Sequence, residues 1–195
     1  FELEHSMSTM QTRSKLPQSE FERRLSELRD RIAESDADAG VWFGARSIEY
    51  LTHFYHAQTE RPVVLVVTPS EVRITVPKLE RIRVQNNPHI DEVYHYFDYP
   101  AGDPISTAVR MLDDLDVDRV IADMDGAPSV MGYEGPPLSE FVTLERQSWV
   151  NTMRRTKSDN ELAVMREASI WAHLAHQYLA DNMEPGARQG TISQR

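Results

Sequence analysis

Apolar and polar positions alternate along this chain in blocks that change period, and the changes mark out its elements. Phe21, Leu25, Leu28 and Ile32 recur at spacings of four, three and four, one face of a helix predicted over residues 19–35. Ser19 and Glu22 are spaced as a capping box at its start. "GVWFG" (40–44) is short, apolar and bounded by glycine, so it predicts a buried strand, and "SIEYLTHF" (47–54) a short helix or turn. "RPVVLVVTP" predicts a second buried strand over about 62–68. "EVRITVP" puts Val72, Ile74 and Val76 on one face of a third strand over 71–76. The three residues "TPS" between these two strands are too few for a crossover, so the pair is antiparallel.

The pattern then turns regular. "PKLERIRVQ" (77–85) predicts a helix with Pro77 at its first position, and "DEVYHYFDY" (91–99) a strand. Asp103 and Pro104 open a helix running to about 115 through Ile105, Val109 and Leu112. "RVIAD" (119–123) predicts another strand. Turn chemistry at "GYEGPP" (132–137) precedes a short helix and a last extended piece near 146–150. From 158 to about 182 Leu162, Met165, Ala168, Ala172, Ala175 and Leu179 form one stripe, and Ser158 with Glu161 forms a capping box at its start. A stripe this long requires a surface to bury it. The expected architecture is an α/β fold, a mixed β-sheet with flanking helices, plus one long C-terminal helix. Residues 1–16 are expected as a tag or disordered tail, 17–150 as the α/β domain, 151–157 as a linker, and 158–195 as the start of a further domain.

Composition narrows the function. The 195 residues carry 31 acidic against 21 basic side chains, a net charge of −10, which argues against nucleic acid or an anionic membrane as partner. Lys15, Lys78 and Lys157 are the only lysines. That bias fits either a surface adapted to high salt or a GC-rich genome. With no cysteine, disulfides, zinc–thiolate sites and thiol catalysis are excluded. The longest purely apolar run, "VVLVV" (63–67), has strand length. "FELEHSM" at the start reads as a tag remnant, and without a visible signal peptide the expected location is the cytoplasm.

Candidate chemistry is sparse. His173 and His176 stand one helical turn apart, but a structural metal site needs more ligands than these two. "LDDLDVD" (112–118) lacks the glycine and closing glutamate of a calcium loop. There is no P-loop, G-x-G-x-x-G, G-x-S-x-G or H-E-x-x-H. The richest segment follows the first strand, where ligand sites of α/β sheets lie. There Arg46, Tyr50, His53, His56 and Arg61 cluster in sequence, and arginine offers a two-pronged fork for a carboxylate.

"IEYLTHFYHAQTERPVVLVV" resembles the "N-x-x-YLTGF…RP-x-x-LVV" stretch of the creatinase/prolidase family, which comprises Xaa-Pro aminopeptidases, Xaa-Pro dipeptidases and creatinases. "MRRTKSDNELAVMREAS" resembles that family's "R-x-x-K-S-x-x-E-I-x-x-(I/M)-R-x-A" at the opening of its catalytic domain. The first helix and strand, "PKLERIRV" and "YFDYP" are similar as well, so the likeness spans about 19–186. The family usually has glycine where this chain has His53, which implies a change in the backbone there. The resemblance implies a ribonuclease H-like N-terminal domain followed by the first helix of a "pita-bread" catalytic domain. In the family that domain holds two divalent metals, manganese or cobalt, through two aspartates, a histidine and two glutamates, none at a position present here. It further implies a homo-oligomer, a proline-containing peptide as the parent's substrate, and Arg46, Tyr50, His53, His56 and Arg61 as pocket lining, with no catalytic residue, metal or cofactor in this chain. A stand-alone binding module and a creatinase-like amidinohydrolase are the alternatives.

Overall fold

In a computed structural model that describes residues 16–98 and 102–193, the expected tail at 1–16 lies, up to residue 15, outside the described residues. So do Tyr99 and Pro100 of the expected strand and "YFDYP" stretch. The chain divides into two compact units, Gln18–Thr156 and Lys157 onward.

The larger unit is a mixed six-stranded sheet between helices. It runs α1 (Gln18–Ala33), β1 (Ala39–Trp42), α2 (Ala45–Thr52), β2 (Val64–Val67), β3 (Val72–Pro77), a 3₁₀ turn Lys78–Glu80 leading into α3 (Arg81–Val84), and β4 (Glu92–Tyr96). After it come α4 (Pro104–Asp113), β5 (Arg119–Ala122), a 3₁₀ turn Leu138–Glu140, β6 (Thr143–Arg146) and α5 (Trp149–Arg155). The strand order is β4-β3-β2-β1-β5-β6, and β2 alone runs against the others.

Continuous apolar runs form the central strands because both faces are covered. Trp42, Leu65, Val67 and Ile74 point to the side holding Leu28 of α1 and Leu51 of α2. Val41, Val64, Val66 and Val120 point to the side holding Ile105 and Met111 of α4. The predicted antiparallel pairing of β2 and β3 is present, with Val64 opposite Thr75 and Val67 opposite Val72.

Several boundaries differ from the sequence expectation, each for a local reason. Helix α1 begins at Gln18, so Ser19 lies inside its first turn, and the Glu22 carboxylate accepts from Gln18 Nε2 (3.0 Å) instead of completing a capping box. Pro77 ends β3 opposite Tyr96 rather than opening a helix; without an N–H, proline suits such a strand end. The final extended piece is β6, earlier than 146–150, because Thr143–Arg146 pairs in parallel with β5. Residues 151–155, expected in a linker, are helical, and Val150 and Met153, three apart on α5, are buried in the core.

In the second unit, α6 (Asp159–Asn182) starts as expected. The Glu161 N–H donates to Ser158 Oγ (3.2 Å) and the Ser158 N–H to Glu161 Oε2 (2.9 Å), closing both halves of the capping box. None of its residues is buried, and Met165, Ile170 and Trp171 are exposed. Helix α7 (Gln189–Ser193) follows. Among the described residues no helix is long and apolar enough to cross a membrane.

Candidate functional site

Neighbouring parallel strands β1 and β5 send their connections in opposite directions across the sheet, β1 toward β2 and β5 toward β6. Such a divergence opens a crevice at the carboxyl ends of the strands. Asp123, the first residue after β5, closes its floor. Its Oδ1 accepts from the Phe43 N–H and its Oδ2 from the Gly44 N–H, both at 3.0 Å. Burial pushes the Asp123 carboxyl above the usual aspartate range, and these backbone donors oppose the rise. A Cβ at position 44 would lie 2.8 Å from Oδ2, so a side chain there would push the carboxylate away from these donors.

Helix α2 begins at the same place without a side-chain cap on Gly44. The N–H groups of Ala45 and Arg46 find no hydrogen-bond partner among the described residues. Above them is a cavity of about 600 Å³ lined by, among others, Arg46, His56, Gln58, Asp123, Asn151 and Arg154. His56 is 5% exposed and stacks on Phe54 (centroids 5.6 Å apart, 17° between planes). Its Nδ1 is buried with no hydrogen-bond partner among the described residues. Burial lowers its proton affinity; Glu80 opposes this and Arg83 adds to it.

The sequence candidates separate. Arg46 and His56 reach this cavity. Arg46 is exposed, with Nη1 2.9 Å from Glu49 Oε2. Tyr50 is core: its ring lies under the Arg24 guanidinium (4.0 Å), and its carbonyl accepts from Arg24 Nη1 at 2.7 Å. His53 caps the end of α2 through its N–H to the Glu49 carbonyl (2.8 Å), its ring 5.1 Å from that of Phe21. Its φ of 59° and ψ of 13° are the left-handed conformation that glycine favours, so histidine here adopts a glycine-type conformation. Arg61 donates through Nε to Asp98 Oδ1 (2.9 Å) and pairs with Glu60 (3.1 Å). It lines a second cavity of about 500 Å³ with Tyr96 and Tyr133.

Sequence reasoning missed Asp123, Asn151 and Arg154. The available signal for Asp123 was an acid closing the apolar run "RVIAD". Asn151 and Arg154 fell in the expected linker and carried no signal.

Among the described residues no group of three or more His, Cys, Asp or Glu side chains is placed to hold a metal ion. The metal pair implied by the resemblance therefore finds no ligand set in these residues, and no step of chemistry here runs through it.

The arrangement is a mixed α/β sheet with a polar crevice at its topological switch point. The chain belongs to the creatinase/prolidase N-terminal domain family, whose family model matches residues 24–122, just over half of the sequence. No curated protein matches it. Among solved structures it is similar to a proline dipeptidase from Streptococcus agalactiae 2603V (TM-score 0.52, 21% identity, covering 66% of this chain and 96% of that one). A Xaa-Pro dipeptidase from Bacillus anthracis gives a TM-score of 0.66 at 16% identity, over 89% of this chain and 47% of that one. The prolidase from Pyrococcus horikoshii OT3 gives 0.59 at 12% identity, over 88% and 46%. At these identities the likeness establishes the fold alone. The chain spans about half the length of the Bacillus and Pyrococcus proteins.

Proposed function

We propose that this chain is the non-catalytic N-terminal part of a cytoplasmic Xaa-Pro metallopeptidase, and that the segment from Arg46 to Arg61 forms a wall of a substrate pocket in a homo-oligomer. The observation that carries the reading is the crevice at the carboxyl ends of β1 and β5, where Arg46 and His56 line one cavity. The family match and the Xaa-Pro dipeptidase neighbours support it. Metal ligands and the bond-breaking step belong to residues outside this chain. This chain supplies positioning: guanidinium donors and backbone N–H groups that orient a peptide, and a folded face for a neighbouring subunit.

Replacing Arg46 by Gln in the full-length parent tests the wall. Losing one charge-assisted contact of about 1.5–3 kcal/mol lowers kcat/KM roughly 10- to 100-fold. An unchanged kcat/KM for Xaa-Pro cleavage refutes the assignment. The subunit contact is tested separately, by light scattering of the parent, where a monomer at all concentrations refutes it.

A further inference from the structure

We infer that Asp123 is a positioning residue: its carboxylate latches the end of β5 to the start of α2 and so sets where Arg46 stands at the crevice. What Arg46 does there rests on the pocket-wall reading; the latch itself stands on hydrogen bonds alone. The backbone ladder between β1 and β5 ends with Val41 opposite Ala122, and its last bond runs from the Asp123 N–H to the Val41 carbonyl (3.4 Å). From that point the Asp123 side chain takes over, its two oxygens accepting the consecutive Phe43 and Gly44 N–H groups. Phe43 is buried, so its N–H needs an acceptor from the protein.

Gly44 is thereby held from both sides. Its N–H goes to Asp123, and its carbonyl accepts from the Ser47 and Ile48 N–H groups (2.9 and 3.1 Å), the first hydrogen bonds of α2. One residue carries the position of the carboxylate into the helix. Gly44 offers no side-chain cap, and a helix of 8 residues is too short to fix its own geometry. The far end of α2 has separate anchors, Arg24 Nη1 on the Tyr50 carbonyl (2.7 Å) and Leu51 in the core. Arg46, in the first turn, pairs with Glu49 of the same helix, which ties its side chain to α2 but not α2 to the sheet. Asp123 and Arg46 line the same cavity, so a shift of the latch is felt where Arg46 would meet a substrate. Two N–H groups call for two acceptor oxygens; asparagine supplies one and turns an NH2 on the other.

The test is a double-mutant cycle in the full-length parent, with Asp123→Asn and Arg46→Gln measured singly and together on Xaa-Pro cleavage. Asp123→Asn, which keeps the side chain's shape, should raise KM about fivefold and leave kcat within about twofold, the pattern of a misplaced binding contact. In the Arg46→Gln background it should change KM by less than about 1.5-fold, because the contact it misplaces is already gone. Gly44→Ala, which pushes the same carboxylate aside, should reproduce Asp123→Asn, and the two together should cost no more than either alone. Full additivity of Asp123→Asn with Arg46→Gln, or a loss of kcat at unchanged KM, overturns the inference. The latch is read separately by amide NMR of the 195-residue chain. Asp123→Asn should move the Ala45 and Arg46 signals and speed hydrogen exchange at Phe43 or Gly44 about tenfold, while the signals of Leu51 and Thr52 stay in place. Unmoved Arg46 signals with wild-type exchange also overturn it. If those signals move while Arg46→Gln leaves kcat/KM unchanged in the parent, the pocket wall falls and the latch stands.

Discussion

Gly40 is the position where a single methyl group does the most damage. Residues 40 and 42 of β1 lie on the same side of the sheet, and Trp42, 1% exposed, lies folded back over the Gly40 Cα. A Cβ at position 40 would come within 2.5 Å of Trp42 Cζ3 and 3.0 Å of Cζ2, with Cη2 nearer still. The obstacle is a rigid ring wedged in the core against its neighbours, not the end of a flexible chain. Overpacking of this kind costs about 1–3 kcal/mol, and expulsion of the indole approaches the ~3–5 kcal/mol of losing a buried tryptophan. Gly40→Ala is therefore expected to destabilise the larger unit by about 3 kcal/mol. With a urea slope of ~2 kcal/mol/M the midpoint drops by about 1.5 M. The assay is urea unfolding followed by tryptophan emission in a Trp171→Phe background, where Trp42 and Trp149 report the larger unit. Adding Trp42→Phe to Gly40→Ala should cost less than the sum of the two single changes, because the smaller ring frees the space. A midpoint unchanged by Gly40→Ala, or strict additivity, refutes the reasoning.

Other expectations follow from the same structure. His53→Val should destabilise by about 1–2 kcal/mol, since a β-branched residue resists the left-handed conformation, whereas His53→Gly should stay within about 0.5 kcal/mol; equal Tm values for Val and wild type refute this. His56 and His89 both have proton affinities lowered chiefly by burial, so the native state binds protons less readily than the unfolded chain. Their contribution is present above the ordinary value of 6.5 and lost as pH falls through it; Tm should fall between pH 7.5 and 5.5, and His56→Gln with His89→Gln should flatten the fall. Asp123, raised by burial, works in the opposite sense, its cost relieved as pH drops toward 3.8. Ser158→Ala removes the cap of α6 and should cost about 1 kcal/mol, read as lost helical circular dichroism on mild heating.

Periodicity made the layers legible because both sheet faces are buried: "VVLVV" and "EVRITVP" left only strands as a solution, and a three-residue loop fixed their antiparallel pairing. It failed at edges. β6 has one neighbour, β5, and little burial, so "TLER" carries no apolar signal, and α5 hides its two buried residues in a basic stretch. The candidate site was half legible for the same kind of reason. Sequence proximity placed Arg46 near His56, but it also collected Tyr50, which α2 turns into the core, and Arg61, which its pairing with Asp98 holds at another cavity. Asp123 joins the site from 79 residues beyond Gly44 through β1–β5 pairing, a contact that no local pattern encodes. The role of Gly40 was equally hidden, since glycine beside an apolar run reads as a strand boundary rather than as space for an indole.

The central claim, that this chain positions a substrate and does not cut it, is tested most directly by proline release. The 195-residue chain incubated with glycyl-proline and Mn²⁺ should liberate no proline above the protein-free blank, even at high enzyme concentration. Turnover that grows with protein concentration and stops on adding a chelator would contradict the account.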